Sequence, residues 1–549
     1  MMRHPDTQIV LFFFWIILLG NQPAGARILH ANPDNYRQFL PGLAPGDTLF
    51  FADGVYKSGL NVYDLAGTRE SPIVISGPMS GSPAVFEGRS CCNTVSIKKS
   101  SFVIIQNIVI NGKNIPNIDA VKAEGTSGNW AHDITLQYLR IVGHGANQQT
   151  VGISTKCAAW NWIIRRNVID GAGTGMYLGN SDGNKPFVNG LIEYNLVMNT
   201  VGYNMQIKHQ NEGLRTVPGM PQEGKTIIRY NVFSKDKNAS SGGDARPNVL
   251  VGNFPAFGPG MNDVYEIYGN FFYNNPHEGL FQGTGNIALY SNIFVNFREG
   301  WGVSIMRHNG FAPRDVTVFN NSVFVTNGKG ITFYKPDLSY RQVVVGNAVF
   351  APVPIANAPV SEQNITGTFD EAGNFVTNLT ADLDSLDVFP LPGALEGEAI
   401  DRTRFESFTD YDRDFNGTAR QWRFRGAYSG AGANPGWRLA LEIRPPVRDI
   451  IQSVKPLVPG PGAGFTLHLF PNPARETVTL VIDAVSGSRA RFSIVDAAGR
   501  VVEKITAVRP NARGRVRHYL STRRYQPGVY FIVAETEKQI ATGTVLIVR

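Results

Sequence analysis

Between Ile163 and Asn347 the chain repeats one pattern seven times: a short apolar run that ends on an asparagine, followed by a second short apolar run. The asparagines are Asn167, Asn195, Asn231, Asn270, Asn292, Asn321 and Asn347, spaced 22 to 39 residues apart. Two earlier copies place Asn107 and Tyr138 at the same point. Strand, corner, strand at such a spacing is one rung of a solenoid, because each unit is too small to bury its apolar face alone and must stack on the next. An inward amide at the corner can bond its own rung and the amide above, which satisfies backbone groups that strand pairing leaves open.

Each unit also carries a third strand ahead of this pair, for example AVKAEG at 120–125, GMYLGN at 175–180, NMQIKH at 204–209 and NVLVGN at 248–253. Three strands per rung predict a three-sided parallel β-helix, with rungs from about Val85 to Phe350. Alternation sends Ile153, Met176, Met205, Val249, Leu280, Val303 and Ile331 inward. It sends Ser154, Tyr177, Gln206, Leu250, Phe281, Ser304 and Thr332 outward. The corners after this third strand are long, at 180–189, 209–225, 253–263 and 308–314, and long loops on one side of a rigid scaffold wall a groove.

The remaining bounds come from the ends and from charge. Arg3 and His4 precede the apolar run Ile9 to Leu19, and Ala24-Gly25-Ala26 follows, which predicts a signal peptide over 1–26 and not a membrane anchor. Residues 27–443 are read as the β-helix with its cap and closing segment, 444–465 as a Pro/Gly-rich linker, and 466–549 as a small β-sandwich. The net charge of +7 lies in that last unit, where 13 Lys/Arg meet 6 Asp/Glu. The body is balanced, so no nucleic-acid partner is expected. Three cysteines, Cys91, Cys92 and Cys157, make no disulfide framework, and buried free thiols are expected.

Three stretches carry a family resemblance. Pro45-Gly46-Asp47, Asp53-Gly54-Val55-Tyr56 and Ser71-Pro72-Ile73 lie in a stretch, 27–75, that reads as an end cover. That stretch resembles the entry of secreted right-handed parallel β-helix proteins, particularly polysaccharide lyase family 6, which includes chondroitinase B and alginate lyases. Asp410 to Tyr428 resembles the closing motif of many such proteins. Its Asp412, Asp414 and Asn416-Gly417 are spaced like a calcium loop, but Arg423 stands where a bidentate Glu belongs, so a turn-forming role is expected. Pro471-Asn472-Pro473, the turn Asp496 to Arg500, and Pro527-Gly528-Val529-Tyr530-Phe531 resemble the C-terminal sorting domain of type IX secretion substrates. The resemblance implies a Gram-negative type IX secretion machinery as partner, with release or attachment at the outer surface.

On the outward face and its following corner the chain collects Lys122, Glu124, Lys156, Tyr177, Asn180, Gln206, Lys208, His209, Asn253 and Phe281, and later Arg307 and His308. A lyase acting on a uronate must neutralise a carboxylate, remove the proton beside it and protonate the leaving oxygen, work suited to Lys, His and Tyr. Family 6 implies a base Lys at the end of such a strand, where Lys208 stands, and an acid Arg on the next rung. That rung offers Leu250 and Gly252, leaving Arg246 from the preceding loop as the substitute. Lys208, His209, Tyr177 and Arg246 are therefore the catalytic candidates and the others candidate glycan contacts. Arg307 and His308 fall three rungs from Lys208, roughly 14 Å away. The family's calcium trio is not recognisable, so no metal ligand is assigned and calcium is left open. A non-catalytic glycan-binding or adhesin β-helix is the rival reading. A glycoside hydrolase is less favoured, since the outward strands carry Glu124 and little else, and His144 in Gly-His-Gly lacks paired aspartates.

Overall fold

The computed structural model describes residues 26–447 and most of 467–547. The expected signal peptide and linker therefore lie, apart from residue 26 and residues 444–447, outside the described residues.

Three long sheets, all with parallel pairing, run the length of the body. The first begins with Ile28–Ala31 and Thr48–Phe51, the second with Gly54–Tyr56, and the third with Leu60–Tyr63. Each rung gives one short strand to each sheet, as in a three-sided parallel β-helix. Rungs begin well before Val85, because the apolar runs within 28–76 already pair with their successors. The end cover shrinks to the short helix Tyr36–Phe39 and the turn Leu40–Gly42. There Tyr36 packs edge-on against Phe51, Tyr56 and Phe86, with ring centroids 5.1–5.9 Å apart. One further rung, Val353–Ala356, Val360–Glu362 and Ile365–Gly367, follows Phe350, where the pattern legible in the sequence ends.

The corner between the first and second sheets explains the asparagine repeat. A residue with positive φ turns the chain: Arg166 (54°), Tyr194 (54°), Tyr230 (57°), Gly269 (64°), Ser291 (51°), Asn320 (50°) and Gly346 (69°). The asparagine follows it, buried. From Asn167 to Asn347 each side-chain amide donates to the Oδ1 of the next asparagine at 2.8–3.0 Å, and the last donates to Asn364, one rung beyond the expected repeat. Each backbone N–H reaches the same Oδ1. Asn107 (φ 57°) and Tyr138 (φ 55°) occupy the turning position instead, and Ile108 and Leu139 take the asparagine's place. The Leu139 N–H donates to Asn167 Oδ1 at 2.9 Å and joins the column from below.

After the last rung the chain returns along the outside. Phe405, Phe408 and Trp422 extend a stack on the first sheet. Tyr290 lies 4.7 Å from Phe319, Phe319 lies 4.1 Å from Phe405, and Phe405 lies 5.4 Å from Trp422, all within 12° of parallel. Phe389, Phe415, Tyr428 and Trp437 cover Phe271, Ile293 and Phe324 of the second sheet. Among the described residues no comparable apolar layer lies on the third sheet. The C-terminal region forms two antiparallel sheets, of three and four strands, around one core that includes Val478, Leu480, Phe492, Ile494 and Ile532.

Candidate functional site

The third sheet, left open on its outer side, carries most of the candidate residues. Its register places Lys122 beside Ser154, Ser154 beside Tyr177, Tyr177 beside Gln206, and Gln206 beside Leu250. The next pairing corrects one expectation. Val249 meets Phe281 and Leu250 meets Gln282, so Phe281 points into the core, fully buried, and Gln282 faces out. Leu280 and Phe281 are adjacent and both apolar, so alternation alone cannot choose between them, and a slip of one residue flips the face.

At the corner two residues farther on, the same register aligns Glu124, Lys156, Gly179, Lys208, Gly252 and Thr284. Lys208 is thus flanked by glycines on both neighbouring rungs. A Cβ on Gly252 would stand 2.3 Å from the His209 nitrogen and 2.7 Å from the Lys208 carbonyl carbon, so the chain passes there only because that side chain is absent. Half-buried, Lys208 has its pKa lowered by burial, which disfavours the ammonium. Two rungs below, the Lys156 Nζ lies 3.4 Å from the centre of the Tyr177 ring. Burial, the largest influence, brings Lys156 down to about 8 and Tyr177 up to about 12. Ser181 on the corner loop works against the rise of Tyr177 without cancelling it.

His209 is held between two loops. Its Nδ1 lies 3.1 Å from the Asn309 amide nitrogen, its ring lies 5.5 Å from Phe311, and its other edge abuts Gly183. The 308–311 hairpin, closed by the His308–Phe311 bridge, therefore folds back across intervening rungs. It also sets His308 3.5 Å from the Gln282 amide and within reach of the charges of Lys208 and His209. These, after burial itself, hold the His308 pKa down. Rung spacing puts His308 far from Lys208, but the folded loop brings it back. Arg307 is exposed and donates to the Gly310 carbonyl at 3.2 Å.

Other candidates have different surroundings. Lys122 pairs with Asp119 at 3.2 Å. Glu124 accepts from Ser96 at 2.7 Å and Asn93 at 2.9 Å. Asn180 accepts the Ser181 N–H at 2.9 Å, capping its turn. Gln206 and Asn253 are buried, and the Oδ1 of Asn253 has no hydrogen-bond partner. Arg246 stands at the entry edge of the sheet, with its guanidinium 6.0 Å from the Tyr203 ring and bonded to the Gly243 and Ala245 carbonyls. It precedes the strand Val249–Val251 and stands six residues before Gly252, the neighbour of Lys208 on the next rung. His144 is fully buried, donates from Nδ1 to the Ile118 carbonyl at 2.9 Å, and is pushed down to about 4 by burial.

In the segment spaced like a calcium loop, the carboxylate of Asp414 is used by the backbone. Both Asp414 oxygens accept backbone N–H groups, from Thr418 at 2.9 Å and Ser429 at 3.0 Å, and the segment serves as a closing turn. Among the described residues no three His, Cys, Asp or Glu side chains are grouped to hold a metal. No described helix is long and apolar enough to cross a membrane.

Solved structures similar to the chain include an alginate lyase from Paenibacillus sp. str. FPU-7, at 13% identity and TM-score 0.36, covering 62% of this chain and 97% of that one. A GH136 lacto-N-biosidase from Eubacterium ramulus matches at 13% identity and TM-score 0.43, covering 62% and 68%. A mannuronic acid specific family 6 lyase from human gut microbiota matches at 13% identity and TM-score 0.34, covering 65% and 88%. No curated protein matches the chain. Residues 468–549 match the family model of the secretion system C-terminal sorting domain, and that unit of the chain is such a domain.

Proposed function

We propose that the outer face of the third sheet binds an anionic, uronate-containing polysaccharide and cleaves it by β-elimination. The observation that carries this reading is the gathering of Lys208, Tyr177, His209 and His308 at one corner of the only long sheet that the returning chain leaves free of an apolar layer among the described residues. Lys156, an ammonium below pH about 8, meets the substrate carboxylate and favours loss of the proton beside it. The Lys208 amine takes that proton. The released electron pair forms the carbon–carbon double bond, and the glycosidic carbon–oxygen bond breaks. Tyr177, protonated throughout the neutral range, gives its proton to the departing oxygen and recovers one by way of solvent. His209, locked between Asn309 and Gly183, fixes the loops that frame Lys208. The sorting domain sends the enzyme through type IX secretion, to be released or held at the outer surface of a Gram-negative cell.

Incubation of the protein with a panel of uronate polymers tests the reading through ultraviolet absorbance of the unsaturated product. Growth of that absorbance on at least one polymer is expected. Binding without product on every polymer would instead make the chain a glycan-binding or adhesin β-helix.

A further inference from the structure

The sequence led to an expectation of buried thiols, but only Cys157 is buried; Cys91 and Cys92 are exposed. They sit side by side in the turn between Ala84–Glu87 of the second sheet and Val95–Lys98 of the third. An isolated bridge between Arg89 and Cys92 holds that turn. We propose that Cys91 and Cys92 are a modification site of the exported protein, where the two neighbouring thiols close on each other as an eight-membered disulfide ring.

Four observations support the ring. The sorting domain at 468–549 marks the chain for export, through compartments where exposed thiols do not persist. The two thiols are chain neighbours on the same exposed turn, and Cys91 is the largest influence raising the Cys92 thiol. The third cysteine cannot compete. Cys157 is fully buried in the main core, and burial pushes its thiol up to about 12, far from the thiolate needed for exchange. Finally, neighbouring Cα atoms stand about 3.8 Å apart, closer than most disulfides accept, so the ring needs a backbone free to adjust. Both residues lie in an exposed surface turn and outside every core cluster, and the one backbone bond there, from the Cys92 N–H to the Arg89 carbonyl, is long at 3.5 Å, so adjustment costs little packing.

The chemistry balances with a disulfide oxidant such as glutathione disulfide. One thiolate attacks the oxidant and releases one glutathione. Its neighbour then attacks the mixed disulfide and releases the second, so two thiols lose two protons and two electrons in all. A strained, exposed ring is more easily reopened than a structural disulfide. Its place is not remote from the groove, since Asn93, the next residue, donates to Glu124 at 2.9 Å.

The test equilibrates the full chain with glutathione disulfide, denatures it without reductant, alkylates it and measures intact mass and peptide masses. The ring predicts a monomer that takes up one alkyl group, at Cys157, and three after reduction. The loop peptide should be two hydrogens lighter than its reduced form. A Cys157→Ser variant keeps the light peptide, whereas a Cys92→Ser variant carries glutathione on Cys91. Uptake of three groups without reduction, stable glutathione on both cysteines of the unaltered chain, or disulfide-linked dimers would each overturn the proposal.

Discussion

Asn231 shows how much one side chain does in a rung corner. Its amide donates to Ile192 and Arg229 carbonyls and to Asn270 Oδ1, while its own Oδ1 accepts two N–H groups of Asn195. Asn231→Leu leaves several buried backbone groups unpaired, and a loss of roughly 3 kcal/mol is expected in denaturant unfolding. Gly252→Ala should act differently. Its methyl must displace the backbone of Lys208 and His209, so catalysis should fall at least tenfold with a smaller loss of stability, about 1–3 kcal/mol, as turnover and unfolding read together would show. A third expectation concerns pH. Lys156 has its folded pKa lowered to about 8, below the unfolded value of about 10.4, so between those limits the unfolded chain holds the extra proton. The stability of the unaltered protein relative to Lys156→Met should therefore rise with pH from about 8 to 10 in parallel unfolding titrations. The seven asparagines were legible in the sequence because one polar residue recurs in an apolar frame. Asn107 was misread, since a positive-φ asparagine one position earlier looks the same in sequence as a buried one.

Elements were legible where a strand has a clear alternation and not where two apolar residues adjoin. The Leu280-Phe281 pair leaves the face ambiguous by one residue for that reason, and the strands at 28–76 resemble a cover in sequence because each is short. The rung spacing also failed for the 308–311 hairpin. Spacing measures distance along the axis between strands, whereas a loop is free to fold back, and Asn309 does so to reach His209. The returning segment was hidden for a similar reason, since its aromatic residues have no period of their own and find their places only on a finished surface. Phe405 is the clearest of them, stacked between Phe319 and Trp422 at 4.1 and 5.4 Å. Phe405→Ala should cost about 3–5 kcal/mol in thermal or denaturant unfolding and loosen the cover of the first sheet.

Across the whole molecule, the apolar layers divide the labour. Two faces of the prism are covered by the chain's own return, the third carries no comparable layer among the described residues, and at the corner where Lys208 stands the 308–311 hairpin folds back from a separate rung to reach His209. The terminal sandwich carries the address, and deletion of 468–549 should leave the protein inside the producing cell, as fractionation would show. The central claim is that this third face performs β-elimination with Lys208 as its base. Its most direct test is product formation by Lys208→Ala on a polymer that the unaltered protein cleaves, measured beside binding of the same polymer. Binding within a few-fold of the original with turnover down by at least a thousandfold is the predicted result; full turnover by the variant would contradict it.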